Sequence, residues 1–334
     1  MDRIRIGKIT YGLKMDSHRF VFIGGLHRSG TSLLFQCLRH HPHISSFANT
    51  GVPEDEGQHL QTVYRPAYQE GGPGRFGFRP AMHLTETSSI ATPENASRLF
   101  SEWRPHWDLR KPVLLEKTPQ NLIQTRFLQA LFPQADFVMM MRHPVAVSYA
   151  TQRWNRTSLF SLLRHWCHCH ELFEQDRPYL KRILVVRYED FVADPIRQLE
   201  SVYRFLDLPP CFDETPAGRG FNKRYFAKWQ AAKKGLISRH YLKQIETRLE
   251  KSVNRFGYSL RHLDMGSSDV GAVEAVPDTH PVGNTILHVH SAAAVVRGAA
   301  FRRYKSLRNA LAGRGATMLS RRSAVQTTTD SRNR

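Results

Sequence analysis

Residues 20–32 read FVFIGGLHRSGTS. An apolar, β-prone run ends in two glycines, a short loop follows, and a segment of helical spacing begins at Thr31. A strand that breaks at glycine and reopens as a helix forms an anion-binding turn, because the first backbone N–H groups of the helix face whatever lies in the turn. Gly25 and Gly30 bracket four residues as in a Walker A loop, yet Thr31 and Ser32 follow directly where that motif demands Lys and then Ser or Thr. The nearest cation is Arg28, inside the loop. Such a loop can clasp a terminal phosphate but lacks the lysine used in γ-phosphoryl transfer. A P-loop nucleotide kinase or ATPase with a degenerate loop is therefore the second reading.

Working outward, "ADFVMMMR" at 135–142 and "RILVVRYED" at 182–190 are buried-strand runs like residues 19–25, and "PVLLEK" at 112–117 is a shorter one. Each precedes a segment of helical spacing. Strands alternating with helices predict an α/β fold, a P-loop-like three-layer sandwich with a central parallel sheet and helices on both faces. Ligands of such sheets bind at the C-terminal strand ends. That rule places Gly24, Lys117, Arg142 and Tyr188 at one rim.

"GGLHRSGTSLL" resembles the 5′-phosphosulfate loop of sulfotransferases that use 3′-phosphoadenosine 5′-phosphosulfate (PAPS), and is most similar to the tyrosylprotein sulfotransferase branch and its bacterial relatives. Further blocks follow in order over about residues 20–258. "LLEKTPQN" resembles the family's second basic position, at Lys117. "FVMMMRHPVAVSYATQRW" resembles the 3′-phosphate strand and helix, with Arg142 and Ser148, and "ILVVRYEDFVADPIRQLESVYRFLDL" its strand, Tyr-Glu-Asp turn and helix. "NKRYFAKW" at 222–229 is similar to the stretch that closes over the cofactor and brings in Lys228. Two departures stand out. Ser148 lies six residues after Arg142 rather than eight, and Pro119 occupies the place where cytosolic relatives carry a histidine base.

The resemblance implies sulfuryl transfer from PAPS to a hydroxyl acceptor on a glycan, a lipid or small alcohol, or a protein tyrosine, with no metal required. Arg28, with Ser29, Gly30, Thr31 and Ser32, would hold the phosphosulfate and stabilise the leaving oxygen. Lys117 would face the sulfonate oxygens, and Arg142, Ser148, Tyr188 and Lys228 would bind the nucleotide. The attacking hydroxyl needs a base. "VPEDEGQHLQ" offers Glu54, Asp55, Glu56 and His59, with Glu54 the first choice and Glu56 the second; a solvated acidic turn is the alternative.

Composition sets the outer bounds. The chain has 334 residues, 41% of them hydrophobic, and a formal net charge of +19. That charge favours anionic partners, but the basic residues are dispersed and no nucleic-acid stacking motif is present, so no nucleic acid is expected. Four irregularly spaced cysteines argue against a disulfide scaffold. His165, Cys167, His168, Cys169 and His170 are metal-ligand types, but no second pair stands at zinc spacing, and the segment reads as an amphipathic helix. Neither a signal peptide nor a membrane span is evident, which predicts a soluble cytoplasmic protein. The domain bounds are an extension over 1–18, a sulfotransferase-like domain over 19–263 and a tail over 264–334. Within the tail, 292–312 has the spacing of a basic amphipathic helix, suited to an anionic membrane surface or to docking on its own domain. The Gly- and Pro-rich "EGGPGRFGFRP" at 70–80 reads as a surface loop or an acceptor cover.

Overall fold

In the computed structural model, residues 17–155, 157–212 and 222–263 are described. Five strands form the sheet: β1 (Arg19–Gly25), β2 (Ile44–Ser46), β3 (Val113–Lys117), β4 (Asp136–Met141) and β5 (Ile183–Arg187). The order is β2-β3-β1-β4-β5 and every pairing is parallel. The described helices are α1 (Thr31–Arg39), α2 (Pro93–Trp103), α3 (Thr125–Leu131), α4 (Pro144–Asn155), α5 (Leu159–Asp176), α6 (Tyr188–Ala193), α7 (Pro195–Phe205), α8 (Lys223–Ala232) and α9 (Leu236–Asn254).

Alternation along β1 divides the core in two. Phe20 and Phe22 point into an aromatic layer with Phe100 and Trp103 of α2, while Val21 and Ile23 point into an aliphatic layer with Leu34, Phe35 and Leu38 of α1 and Leu199 and Val202 of α7. Both faces are therefore covered, which is what continuous apolar strands require. The chain passes from β3 to β4 across β1, so the loops leaving β1 and its neighbours diverge there and leave a crevice at its C-terminal end. The register pairs Ile23 with Lys117 and Gly25 with Met140, and it brings Arg142 and Tyr188 to the same edge, one residue past β4 and β5.

The predicted strands hold with two differences. β2 has only three residues, too short to give a periodic signal. β5 stops at Arg187 because α6 begins at Tyr188, so Tyr-Glu-Asp is the first turn of a helix rather than the end of a strand. The 70–80 segment packs inward: Phe76 is buried, and the Gly77 N–H donates to His165 Nε2 at 3.1 Å. His165 and Cys169 are likewise buried in α5, and among the described residues no group of three His, Cys, Asp or Glu side chains gathers as a metal site.

Among the described residues no helix is long and apolar enough to cross a membrane. The basic helix expected at 292–312 lies outside the described residues, as do residues 1–16.

Phe22 sits at the centre of the aromatic layer, with ring centroids of Phe132, Phe137 and Trp103 at 5.6, 5.8 and 6.1 Å. Phe22→Ala should lower the unfolding free energy by about 3–5 kcal/mol in urea denaturation, the cost of a buried aromatic removed from a packed core.

Candidate active site

The site starts from a helix that no side chain caps. Thr92, Ser158 and Asp194 each accept a hydrogen bond from the first turn of α2, α5 and α7, whereas α1, like α3, α6, α8 and α9, has no side-chain cap; of these, α1 is the one that opens on the glycine turn. The Thr31 and Ser32 N–H groups have no backbone partner among the described residues, while the Leu33 N–H donates to the Gly30 carbonyl at 3.0 Å, and this end carries the positive pole of the helix dipole. Gly30 precedes them at φ 107°, and a Cβ there would lie 2.6 Å from the Tyr188 ring. Glycine is thus demanded twice, by the left-handed backbone and by the aromatic wall.

Around this turn lies a cleft of about 260 Å³, lined by His27, Arg28, Gly30, Thr31, Ser32, Leu33, Glu54, Glu56, Pro119, Arg142, Trp154, Tyr188 and Arg224. Arg28 is exposed and has a left-handed backbone, φ 71°; its guanidinium carbon rests 4.9 Å from the centroid of Trp154, which is 46% exposed. Beneath the loop, Ser29 is buried, and its Oγ has no partner among the described residues.

Arg142 is held from several sides. Its Nε donates to Asn222 Oδ1 at 2.8 Å, its Nη1 to the Arg28 carbonyl at 2.9 Å, and its guanidinium carbon lies 3.9 Å from the Tyr188 ring centroid. Nη2 is buried without a partner. Asn222 Nδ2 in turn donates to Glu189 Oε1 at 2.6 Å, and Glu189 Oε2 accepts from the Tyr258 hydroxyl at 2.8 Å. No carboxylate touches Arg142 itself among the described residues. A fixed, 7%-exposed guanidinium with one unused N–H face suits a bound phosphate.

Across the cleft, the end of β3 organises the acidic loop. Lys117 Nζ donates to the Glu54 carbonyl at 3.0 Å and to Glu56 Oε1 at 3.1 Å. Lys117 is fully buried and Glu56 is 6% exposed. Burial pushes the Glu56 carboxyl up from the ordinary 4.5, although Lys117 and Gln58 oppose the shift. Glu54 is exposed and accepts from Ser32 Oγ at 3.2 Å. Asp55 points elsewhere: its Oδ1 accepts from the Thr50 N–H and hydroxyl at 2.9 and 2.7 Å. His59 Nε2 lies 3.9 Å from Glu56 Oε2.

Of the predicted site residues, Arg28, Gly30, Thr31, Ser32, Glu54, Arg142 and Tyr188 line the cleft, and Lys117 joins it through Glu54 and Glu56. Ser148 and Lys228 fall outside its lining. Ser148 is buried beside a separate small cavity behind the loop, and Lys228 Nζ sits 4.4 Å over the Tyr149 ring. Arg224, one helical turn earlier on α8, takes the place at the cleft. Trp229 is fully buried and serves packing. His27, Trp154 and Arg224 were not singled out by sequence reasoning; His27 stands inside the quoted motif, while the other two gave no pattern of their own.

The match to known proteins is consistent with this geometry. The Sulfotransferase family model covers residues 21–214. The chain belongs to the sulfotransferase family. It is 26% identical over 199 residues to protein-tyrosine sulfotransferase A of Caenorhabditis elegans, which covers 57% of this chain and 50% of that protein. It is 27% identical over 198 residues to the protein-tyrosine sulfotransferase of Drosophila melanogaster, covering 57% and 38%. The chain thus spans about half or less of the length of these curated relatives. Solved structures similar to it include the sulfotransferase domain of the Synechococcus PCC 7002 olefin synthase, at TM-score 0.40 and 19% identity over 64% of this chain and 88% of that one. Sulfotransferase STF9 from Mycobacterium avium gives TM-score 0.43 and 14% identity over 69% and 72%.

Glu116, next to Lys117, is fully buried, and burial lifts its carboxyl from 4.5 to about 7 against hydrogen bonds from Thr118, Asn121 and the Gly57 N–H. A raised carboxyl contributes its full stability below pH 4.5 and loses it as pH rises through 7. Urea denaturation of Glu116→Gln and the parent should therefore show the difference moving in favour of the variant by about 3 kcal/mol between pH 4.5 and pH 8.

Proposed function

We propose that this chain moves a sulfuryl group from PAPS to a hydroxyl acceptor. The observation that carries the reading is one cleft that joins an uncapped helix start, the loop guanidinium of Arg28, the buried Arg142 and the Lys117–Glu56 pair. The pocket fits a doubly anionic nucleotide: Arg142 Nη2 is buried with nothing to bind, and Gly30 leaves the turn open to close approach. Arg142 and the Tyr188 ring then serve the 3′-phosphate end, with Arg224 at the entrance, while Gly30, Thr31 and Ser32 hold the 5′ end through backbone N–H groups and hydroxyls.

The donor supplies a sulfuryl group on a good leaving group, so the protein has to place charge rather than make new bonds. Arg28 stabilises the oxygen from which the group departs. Lys117 stabilises the sulfonate oxygens from the opposite wall. Each fixed donor of this kind contributes about 3–4 kcal/mol to such a step.

Glu56 takes the acceptor proton. Burial raises its affinity for a proton above that of a solvated carboxylate, and the charge and hydrogen bond of Lys117 oppose that rise. Exposed Glu54, bonded to Ser32 Oγ, orients that hydroxyl instead. The relatives named protein-tyrosine sulfotransferases support a hydroxyl acceptor and favour a tyrosine side chain within that class.

Label transfer from [35S]PAPS into a cell extract separated into protein, glycan and lipid fractions tests the reading. Label should enter one fraction, and Arg28→Ala and Glu56→Gln should each slow transfer by about 10²–10³-fold with unchanged far-UV circular dichroism. The rate should fall as pH is lowered through the Glu56 value, on a limb above the ordinary 4.5. No transfer by the parent, or full transfer by Arg28→Ala, contradicts the assignment.

A further inference from the structure

We propose that His27 is a further catalytic residue of this reaction, giving an Nε2–H hydrogen bond to a sulfonate oxygen, and that an internal water held with Ser148 fixes its tautomer. The inference rests on the functional reading above.

His27 stands between two spaces. One side lines the cleft with Arg28 and Glu56. The other lines a cavity of about 10 Å³ bounded by Leu26, Gly74, Val147, Ser148, Thr151, Leu162 and His165 as well. That volume holds about one water. Two polar atoms of its lining residues, His27 Nδ1 and Ser148 Oγ, are buried and meet no protein partner. Buried polar atoms left alone are costly, and a bridging water relieves both at once. His165 does not compete for it with Nε2, which already accepts from the Gly77 N–H at 3.1 Å.

The tautomer follows from charge. The cleft gathers cations for an anion, so the ring nitrogen facing it is better placed as a donor. The water then donates to Nδ1, and which nitrogen carries the proton is set by the bond the other makes. Burial first, then the positive charge of Lys117 and the nearby His59, push the imidazole down to about 3, so His27 acts as an uncharged donor at neutral pH. Phe76 at 5.7 Å and Trp154 at 6.4 Å between ring centroids both meet it edge-on.

Three measurements test this. Long-range 1H–15N spectra of the imidazole in the protein saturated with 3′,5′-adenosine diphosphate should show an uncharged ring with its proton on Nε2 at pH 7. In the [35S]PAPS extract assay, His27→Ala and His27→Asn should slow transfer about 10²-fold, while His27→Gln, which restores a donor near the Nε2 position, should stay within about tenfold of the parent. Ser148→Val fills the cavity, and should slow transfer while leaving the affinity for the diphosphate within twofold. An imidazolium or an Nδ1–H ring overturns the proposal, as does His27→Ala at parental speed. A tenfold loss of diphosphate affinity in Ser148→Val overturns the cavity and makes Ser148 a nucleotide ligand. A parent that binds the diphosphate but transfers nothing defeats the enzymatic reading, and the spectra then still decide the tautomer.

Discussion

Three consecutive residues at the end of β3 take hold of the loop that carries the acids. Glu116 Oε1 accepts from the Gly57 N–H at 3.0 Å, Lys117 Nζ reaches the Glu54 carbonyl and the Glu56 carboxylate, and Thr118 Oγ1 accepts from the Gln58 N–H at 3.2 Å. Gly57 has to be glycine for this to close, since a Cβ there would stand 2.5 Å from Glu116 Oε1. From the far side, Trp103 Nε1 donates to the Gly57 carbonyl at 3.0 Å, and Gln58 Oε1 accepts from the Ala67 N–H at 2.8 Å. An irregular backbone segment is thereby fixed as firmly as a strand. The cost falls on the charges: separating a buried pair such as Lys117 and Glu56 by deleting one member costs about 3–5 kcal/mol. The residues proposed to carry the chemistry therefore also hold this loop in place.

The sheet supplies the rest. Because β3 and β4 flank β1, the strand ends bearing Lys117 and Arg142 stand on either side of the phosphate-type loop, about two strand spacings apart. One wall of the cleft carries the Lys117–Glu56 pair, and the other carries Arg142 over Tyr188. Arg28 sits between them on the loop itself. A guanidinium is well suited to the loop position, since its planar face can rest on Trp154 while its edge stays available to an anion.

The parts legible in the sequence were those governed by a repeating pattern. Continuous apolar strands, each closed by a glycine or a charged residue, gave the four long strands and hence the rim where Lys117, Arg142 and Tyr188 meet. The acidic loop resisted, because Glu54 and Asp55 both take left-handed backbone angles, φ 56° and 49°, and turn three successive acids toward Ser32, Thr50 and Lys117 respectively. No periodicity predicts such a sorting. Helix α8 brings Arg224 rather than Lys228 to the cleft lining. Tyr225 and Trp229 are buried and set its phase, which carries Arg224 to the cleft and Lys228 onto Tyr149. The short β2 and the inward packing of Phe76 and Gly77 depend on contacts with residues far along the chain, such as His165 against Gly77, that local spacing does not encode.

The central claim is that this rim recognises a nucleotide by a 3′-phosphate as well as a 5′ anion. Titration calorimetry with 3′,5′-adenosine diphosphate and with 5′-AMP tests it most directly. The account predicts one site that favours the diphosphate at least tenfold, with that preference lost in Arg142→Met. Equal affinity for the two nucleotides, or an Arg142→Met protein that still prefers the diphosphate, would contradict it.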